Sequence, residues 1–326
     1  YQTAFLKTYY PKEFIAASMT MDISNQNKLG EFYEELKRLK IDVVRPDINE
    51  CFADFKTENS KFYYALGGIK AVGFEAINNI VKERIENGKF LSINDFIKRV
   101  NPKDINKLQL EGLVKAGAFD KLNSNRQSIF NSIPNIITKS KNDFDNRIAN
   151  QIDLFDETGE NEIDILENIN DWDFEERLSK EFESIGFFVS DHPLNQFKEI
   201  FEDYKIIEFQ KFYTHDEIKE NNIAATLLKV IERKTAKGNS YAVLKLTDLN
   251  SVFELFIFSD VLELNREILK EGSSLILTLT KTFSPDEEKT KRINVRKIAS
   301  LKDLFNSAIK KITLNLTSKE QLKDVQ

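Results

Sequence analysis

The chain has 326 residues, 41% hydrophobic and 31% charged, with a formal net charge of −6. That is room for about two or three domains of ordinary globular composition, and no apolar run is long enough for a membrane-spanning helix. One cysteine, Cys51, excludes an intramolecular disulfide, and His192 and His215 have no Cys or His at ligand spacing, so neither a zinc site nor histidine-based catalysis is expected.

Residues 1 to about 40 are predicted to be helical. Pro11 suits a first helical position and Phe14, Ala17, Ser18 and Met21 follow at helical spacing, while Leu29, Phe32, Tyr33, Leu36 and Leu39 form an apolar stripe behind the Asn25–Asn27 capping region. Ile41–Val44 reads as a short strand ended by Arg45-Pro46-Asp47. From residue 61 to about 140 the pattern is short helices separated by glycines, and residues 141–175 read as a polar, acidic linker. Helical spacing returns at Glu176–Ile185 and Leu194–Phe201. From Ile223 the period becomes two, with strand-like runs at Ile223–Glu232, Tyr241–Thr247, Val252–Phe258, Leu275–Phe283 and Ile293–Ile298. A helical stretch, Asp260–Lys270, falls between the third and fourth runs, which is the order of an OB-fold barrel. The fold class expected is α+β, multidomain. The sequence starts without Met and stops in a fresh strand-like stretch, Lys311–Leu316, and reads as a piece of a longer protein with no leader visible after Tyr1.

Charge is unevenly spread. Asp153–Glu183 holds thirteen acids against two bases, whereas Asn221–Ser300 holds thirteen bases against ten acids, and Phe62–Arg126 is also mildly basic. Charges are screened beyond roughly 8 Å at physiological salt, so a polyanion senses the nearest face rather than the total.

In Leu66-Gly67-Gly68-Ile69-Lys70-Ala71-Val72-Gly73, a glycine turn leads into a helix carrying Ile77, Ile80, Val81 and Arg84. Backbone N–H groups at such a helix start can hold a phosphate, with Gly68 and Gly73 allowing close approach and Lys70 adding charge. Phe74-Glu75 replace the Lys and Ser/Thr of a nucleotide P-loop, which excludes ATP binding by this loop. A second helix–glycine turn–helix follows about 45 residues on, with Lys115, Gly117 and Arg126 as its candidate phosphate ligands. Paired turns suit two phosphate contacts on one duplex. Gln151-Ile152-Asp153-Leu154-Phe155 places a Leu-Phe pair in the polar linker, where it either docks on another protein or folds back on its own domain. In the barrel, Lys229, Arg233, Lys234, Lys237, Tyr241 and Lys245 are candidates for a single-strand site. Phe256 and Phe258 share a face and are expected in the core. Trp172 is expected to be a packing anchor, His192 a turn histidine and the acidic run solvated.

Several motifs together resemble the alpha subunit family of bacterial DNA polymerase III: Tyr1-Gln2-Thr3-Ala4-Phe5-Leu6-Lys7 with Tyr10-Pro11-Lys12-Glu13-Phe14, Pro46-Asp47-Ile48-Asn49, Leu66–Gly73 and Ser190-Asp191-His192-Pro193-Leu194. The resemblance runs in order over essentially the whole chain. It implies the end of a fingers domain (1–55), a tandem helix-hairpin-helix domain (56–140), an acidic linker with a clamp-binding peptide (141–175), a helical connector (176–220), an OB-fold (221–303) and the start of a C-terminal domain (304–326). It further implies that the hairpins hold double-stranded DNA, that the OB-fold handles single-stranded DNA, and that Gln151–Phe155 docks on the sliding clamp, the beta subunit. Other replicase subunits are implied partners, and the implied location is the cytoplasmic, nucleoid-associated replisome. Ala71 stands where the family's first hairpin often has glycine. The family's catalytic aspartates lie in a palm domain upstream of Tyr1, so no catalytic residue, metal ligand or cofactor is expected here. Magnesium is expected for the intact polymerase, and this segment alone is expected to be inactive. A ligase-like or repair protein would want a Lys-x-Asp-Gly motif, which is absent. A clamp-bound scaffold without DNA contact stays open, and a tRNA-binding OB module would account for the barrel alone.

Overall fold

The computed structural model describes residues 2–148, 165–235, 238–283 and 291–307. The chain forms two compact units, residues 1–193 and 194–326. No described helix is long and apolar enough to cross a membrane.

The first unit opens with α1 (Gln2–Tyr9), α2 (Pro11–Met21) and α3 (Gln26–Arg38). Pro11 is the first residue of α2, where its missing N–H costs nothing. The Asn25 side chain accepts from the Lys28 N–H to cap α3, whose Leu29, Tyr33 and Leu36 are buried as the stripe predicts. Next comes a three-stranded sheet, β1 (Val43–Val44), β2 (Lys56–Glu58) and β3 (Lys61–Tyr63), with β3 in the middle. Asn59 and Ser60 both take positive φ, the requirement of a tight two-residue hairpin. The helical expectation from residue 61 is corrected here: this Asn-Ser turn starts a strand. Then follow α4 (Phe74–Asn87), α5 (Ile93–Arg99), α6 (Lys107–Lys115), α7 (Arg126–Asn131), α8 (Ile133–Ile148) and α9 (Phe174–Ile185).

Residues on both sides of position 55 share one core, from Ile15 and Leu36 through Phe62 and Leu113 to Val189. The expected linker is shorter than its composition suggests. Helix α8 runs to Ile148, and Ile165, Leu166 and the buried Trp172 pack on the same core, with the Trp172 ring 5.4 Å from Phe130. Helix α9, expected in a connector, also belongs here through Ile185.

The Pro46-Asp47-Ile48-Asn49 element is a clasp. Asn49 donates to the Phe90 carbonyl (2.8 Å) and accepts from the Phe90 N–H (2.8 Å). The buried Arg84 donates to the carbonyls of Ile48 (2.7 Å) and Cys51 (2.8 Å), and the Ile48 N–H reaches the Ala118 carbonyl (2.8 Å). One short loop is thereby tied to α4, to the link between α4 and α5 and to the turn after α6. Burial pushes the Cys51 thiol up to about 12, which leaves it inert as a nucleophile.

In the second unit, α10 (Phe209–Thr214) precedes β4 (Glu220–Lys234), β5 (Ser240–Thr247), β6 (Val252–Phe258), α11 (Ser259–Asn265), β7 (Ser274–Phe283), β8 (Lys291–Ser300) and α12 (Leu301–Ser307). The strand order is β6-β5-β4-β7-β8, antiparallel throughout. Five strands with one helix between the third and fourth follow the expected order, though the helix is shorter than predicted. Strand β4 is long enough to pair β7 with its first half and β5 with its second, the two halves separated by a bulge at Leu227/Lys229. Leu255 and Ile257 of β6 and Val295 and Ile298 of β8 reach the same core. The sheet therefore curls around one interior, and among the described residues no hydrogen-bonded ladder joins β6 to β8, which suits the partly open barrel of an OB-fold. Helix α10 stacks Phe209 on Phe253, centroids 3.8 Å apart. The fully buried Lys281 ammonium donates to the carbonyls of Phe212 and His215 at the C-terminal end of α10, where a cation is favoured.

Because Asn49 satisfies two backbone groups at once, Asn49→Ala is expected to cost about 2 kcal/mol of stability. A urea titration of the variant against wild type measures it, with a lowered midpoint at unchanged slope as the expected outcome.

Candidate nucleic-acid interface

The first glycine turn is built from a 3-10 turn, Leu66–Gly68, followed by Ile69–Gly73 and the start of α4. Gly68 is buried and spends its N–H on the Ala65 carbonyl, so it shapes the turn rather than facing outward. The Lys70 N–H donates to the Ser184 carbonyl (2.9 Å) and its ammonium to the Glu183 carbonyl (2.9 Å), fastening the turn to α9. Gly112 of α6 lets this turn approach closely: a Cβ there would lie 2.8 Å from the Lys70 carbonyl oxygen. Ala71 is held at φ +64, a conformation costly for a residue with a Cβ.

What the turn exposes is the N-terminus of α4. Asn25, Ser92, Asn106, Asn125 and Asp173 cap α3, α5, α6, α7 and α9 with their side chains, whereas Gly73 has none to offer α4. The N–H groups of Gly73, Phe74, Glu75 and Ala76 have no partner among the described residues. Gly73, Phe74 and Glu75 are exposed. Four donors at the positive end of a 14-residue helix, open to solvent, form an anion-binding geometry.

The second hairpin differs. Arg126 is 3% exposed. Its guanidinium forks onto Asp120 (2.8 and 2.7 Å) and donates to the Lys115 carbonyl (2.9 Å), with Glu181 3.7 Å away. Lys115 is held by Glu183 at 3.0 Å, and Asp171 accepts from the Gln127 N–H inside the first turn of α7. Lys115 and Arg126, expected to contact DNA, thus both have their charges paired within the protein, and a carboxylate already sits at the start of α7. Gly117 has φ +80, and a Cβ there would lie 2.2 Å from the Arg126 guanidinium, so glycine is required at this position by its neighbour.

In the second unit the β4 bulge turns Lys229, Ile231 and Arg233 to the outer face. Cross-strand pairing then assembles three rows on that face: Lys229, Lys245 and Glu254; Ile231, Val243 and Phe256; Arg233, Tyr241 and Phe258. Lys229, Arg233 and Lys234 are exposed, Tyr241 and Lys245 half-buried. Phe256 and Phe258, expected in the core, are 54% and 63% exposed. The charged Glu254 shares their parity along β6 and could have marked that side as outward, while Phe253, Leu255 and Ile257 take the core. Lys237 and the Gln151–Phe155 peptide lie outside the described residues.

A helix-hairpin-helix motif family matches residues 40–129, the stretch from β1 to α7 that contains both turns. The DNA polymerase III subunit alpha of Borreliella burgdorferi is 32% identical over 334 residues, covering all of this chain and 28% of that protein. The subunits of Caulobacter vibrioides (31% identical, 85% of this chain, 24% of that protein) and Campylobacter jejuni (32% identical, 83% of this chain, 23% of that protein) align similarly. The chain belongs with the DNA polymerase III alpha subunits. It spans 28% or less of the length of these three relatives. The helix-hairpin-helix match falls wholly in the first unit, and its open end is the α4 N-terminus.

Two substitutions separate backbone demands from ligand demands. Gly117→Ala is expected to destabilise by more than about 2 kcal/mol, since it adds a Cβ at positive φ and collides with Arg126. Ala71→Gly is expected to stabilise by about 0.5–1 kcal/mol, because relief of the left-handed strain exceeds the added chain entropy. Thermal and urea midpoints of both variants check the signs.

Proposed function

We propose that this chain is the DNA-holding and processivity part of a polymerase alpha subunit. The open α4 N-terminus grips duplex phosphate, the outer face of β4–β6 meets single-stranded template, and Gln151–Phe155 tethers the chain to the sliding clamp. The observation that carries the duplex reading is the uncapped set of N–H groups from Gly73 to Ala76, within the helix-hairpin-helix match and beside the exposed turn. A grip made by backbone donors has no sequence preference, which suits an enzyme that must move along any template. The five-strand order with its single helix supports reading the second unit as an OB-fold, whose second and third strands commonly form the binding face.

In the longer protein, template-directed DNA synthesis is the activity this reading implies, with magnesium as the metal and other replicase subunits as partners. Among the described residues no group of three or more His, Cys, Asp or Glu could hold a metal ion. In this reading catalysis belongs to parts of the polymerase outside this chain, and the segment is expected to be inactive alone.

Gly73→Asp tests the hairpin grip. A Cβ at Gly73 has room, its nearest neighbours lying 3.7 and 3.8 Å away, and Asp is a favourable cap. The variant should fold as well as wild type while placing a carboxylate where phosphate would bind. Duplex affinity is expected to fall about tenfold or more at low salt, with the wild-type affinity itself declining steeply as salt rises; unchanged affinity in the variant would remove the α4 terminus from the interface. For the tether, Leu154→Ala/Phe155→Ala is expected to abolish capture by the cognate sliding clamp in a surface-binding assay. Undiminished capture would place the clamp contact elsewhere.

A further inference from the structure

Strand β6 lies at the edge of the sheet and shows two aromatic rings to solvent. Single exposed apolar residues are ordinary on protein surfaces, but Phe256 and Phe258 are organised. They sit two residues apart on one face, about 6.8 Å along the strand. Phe258 lies directly opposite Tyr241, which lies opposite Arg233, so two rings and a guanidinium form one row. The next row holds Phe256 beside Val243 and Ile231, and the third holds Lys245 between Lys229 and Glu254.

The cations on this face are uncommitted. Among the described residues the side chains of Lys229, Arg233, Lys234 and Lys245 have neither an ion pair nor a hydrogen bond, and Glu254 has none with Lys245. Like charges directly opposite on neighbouring strands repel, so the Lys229–Lys245 pair carries a cost in the free protein that a bound anion would relieve. Flat rings with open faces beside unpaired cations are the two components of a single-strand site: rings take bases and cations take phosphates. An apolar protein partner would use the rings but would leave the cations desolvated without counter-charge, which is expensive. A polyanion with aromatic bases satisfies both components.

We infer that Phe256 and Phe258 are base-stacking positions for single-stranded nucleic acid, with Tyr241 as a third ring and Lys229, Arg233 and Lys245 holding the phosphates. This assignment rests on the reading that the second unit handles single strands, and it adds the groups that contact the bases. Every base has a π-face, so the contact is tolerant of sequence. It also contributes affinity that salt does not remove, unlike the phosphate contacts.

The test uses the full chain with two fluorescent oligomers, an oligothymidylate of about 16 nucleotides, the upper site size of one such fold, and an abasic strand of equal length. The abasic strand keeps every phosphate and lacks the bases. Wild type is expected to prefer the oligothymidylate, and Phe256→Ala/Phe258→Ala to lose at least about 25-fold of that affinity, roughly fivefold or more per ring. Binding of the abasic strand and the salt slope should be unchanged, and Phe258→Trp should retain the preference. Lys229→Gln/Lys245→Gln should instead weaken both oligomers and flatten the salt slope. Both rings are more than half exposed, so the double variant should keep its circular dichroism spectrum and thermal midpoint. If the double variant binds oligothymidylate as wild type does, the stacking assignment is overturned while the single-strand reading stands. If wild type binds neither oligomer at low salt, the single-strand reading falls and takes the assignment with it.

Discussion

The first unit depends on a buried guanidinium. Arg126 reaches Asp120, the carbonyl of Lys115 and the vicinity of Glu181, so one side chain joins α6, the turn after it, α7 and α9. Glu181 in turn accepts from the N–H groups of Val189 and Ser190, and Arg177 bridges Asp120 to Asp171. Buried charge is tolerated only where it is paired and hydrogen-bonded, and each member of this network meets that condition. Its consequence for function is an asymmetry between two turns with similar sequences. The turn at Gly117 is occupied by the protein's own side chains and serves as a brace. The turn at Gly73 is anchored through its Lys70 backbone and ammonium to α9, which leaves the next helix start open.

The outer face of β4–β6 in the second unit is set by a backbone irregularity. Ile223, Ala225 and Leu227 enter the core, and without the bulge at Leu227/Lys229 the odd positions beyond them would continue inward. The bulge reverses the parity, sending Lys229, Ile231 and Arg233 outward and Val230 toward the core. The inward run is thus kept apolar, and the cations gather on a face where β5 and β6 contribute rings. The buried Lys281, by contrast, is committed to the end of α10 and is unavailable to a ligand.

The pattern of elements was legible because it is local. The Pro11 start, the Asn25 cap, the Leu29–Leu36 stripe and the period-two runs from Ile223 each reflect interactions within a few residues, and the structure places helices and strands there. The misread elements have physical causes. The β2–β3 hairpin is too short for its period to register, and its decisive feature is the positive φ of Asn59 and Ser60. The acidic composition from residue 141 concealed the continuation of α8 and the docking of Trp172, because a few buried apolar groups are enough to pin a mostly charged stretch.

The sequence by itself determined that the chain carries two unlike halves, one helical with glycine turns and one of five strands, and which residue types are available for binding. Charge, periodicity and glycine spacing are one-dimensional properties and survive without a fold. Only the tertiary structure decided which of those residues are free to act. Arg126 and Lys115 are cations in the sequence but are neutralised by Asp120 and Glu183, the latter 68 residues away from Lys115. Phe256 and Phe258 are hydrophobic in the sequence but stand outside, because β6 can bury only one of its two faces and Phe253, Leu255 and Ile257 fill it. Availability depends on long-range partners, and those exist only once the chain has folded.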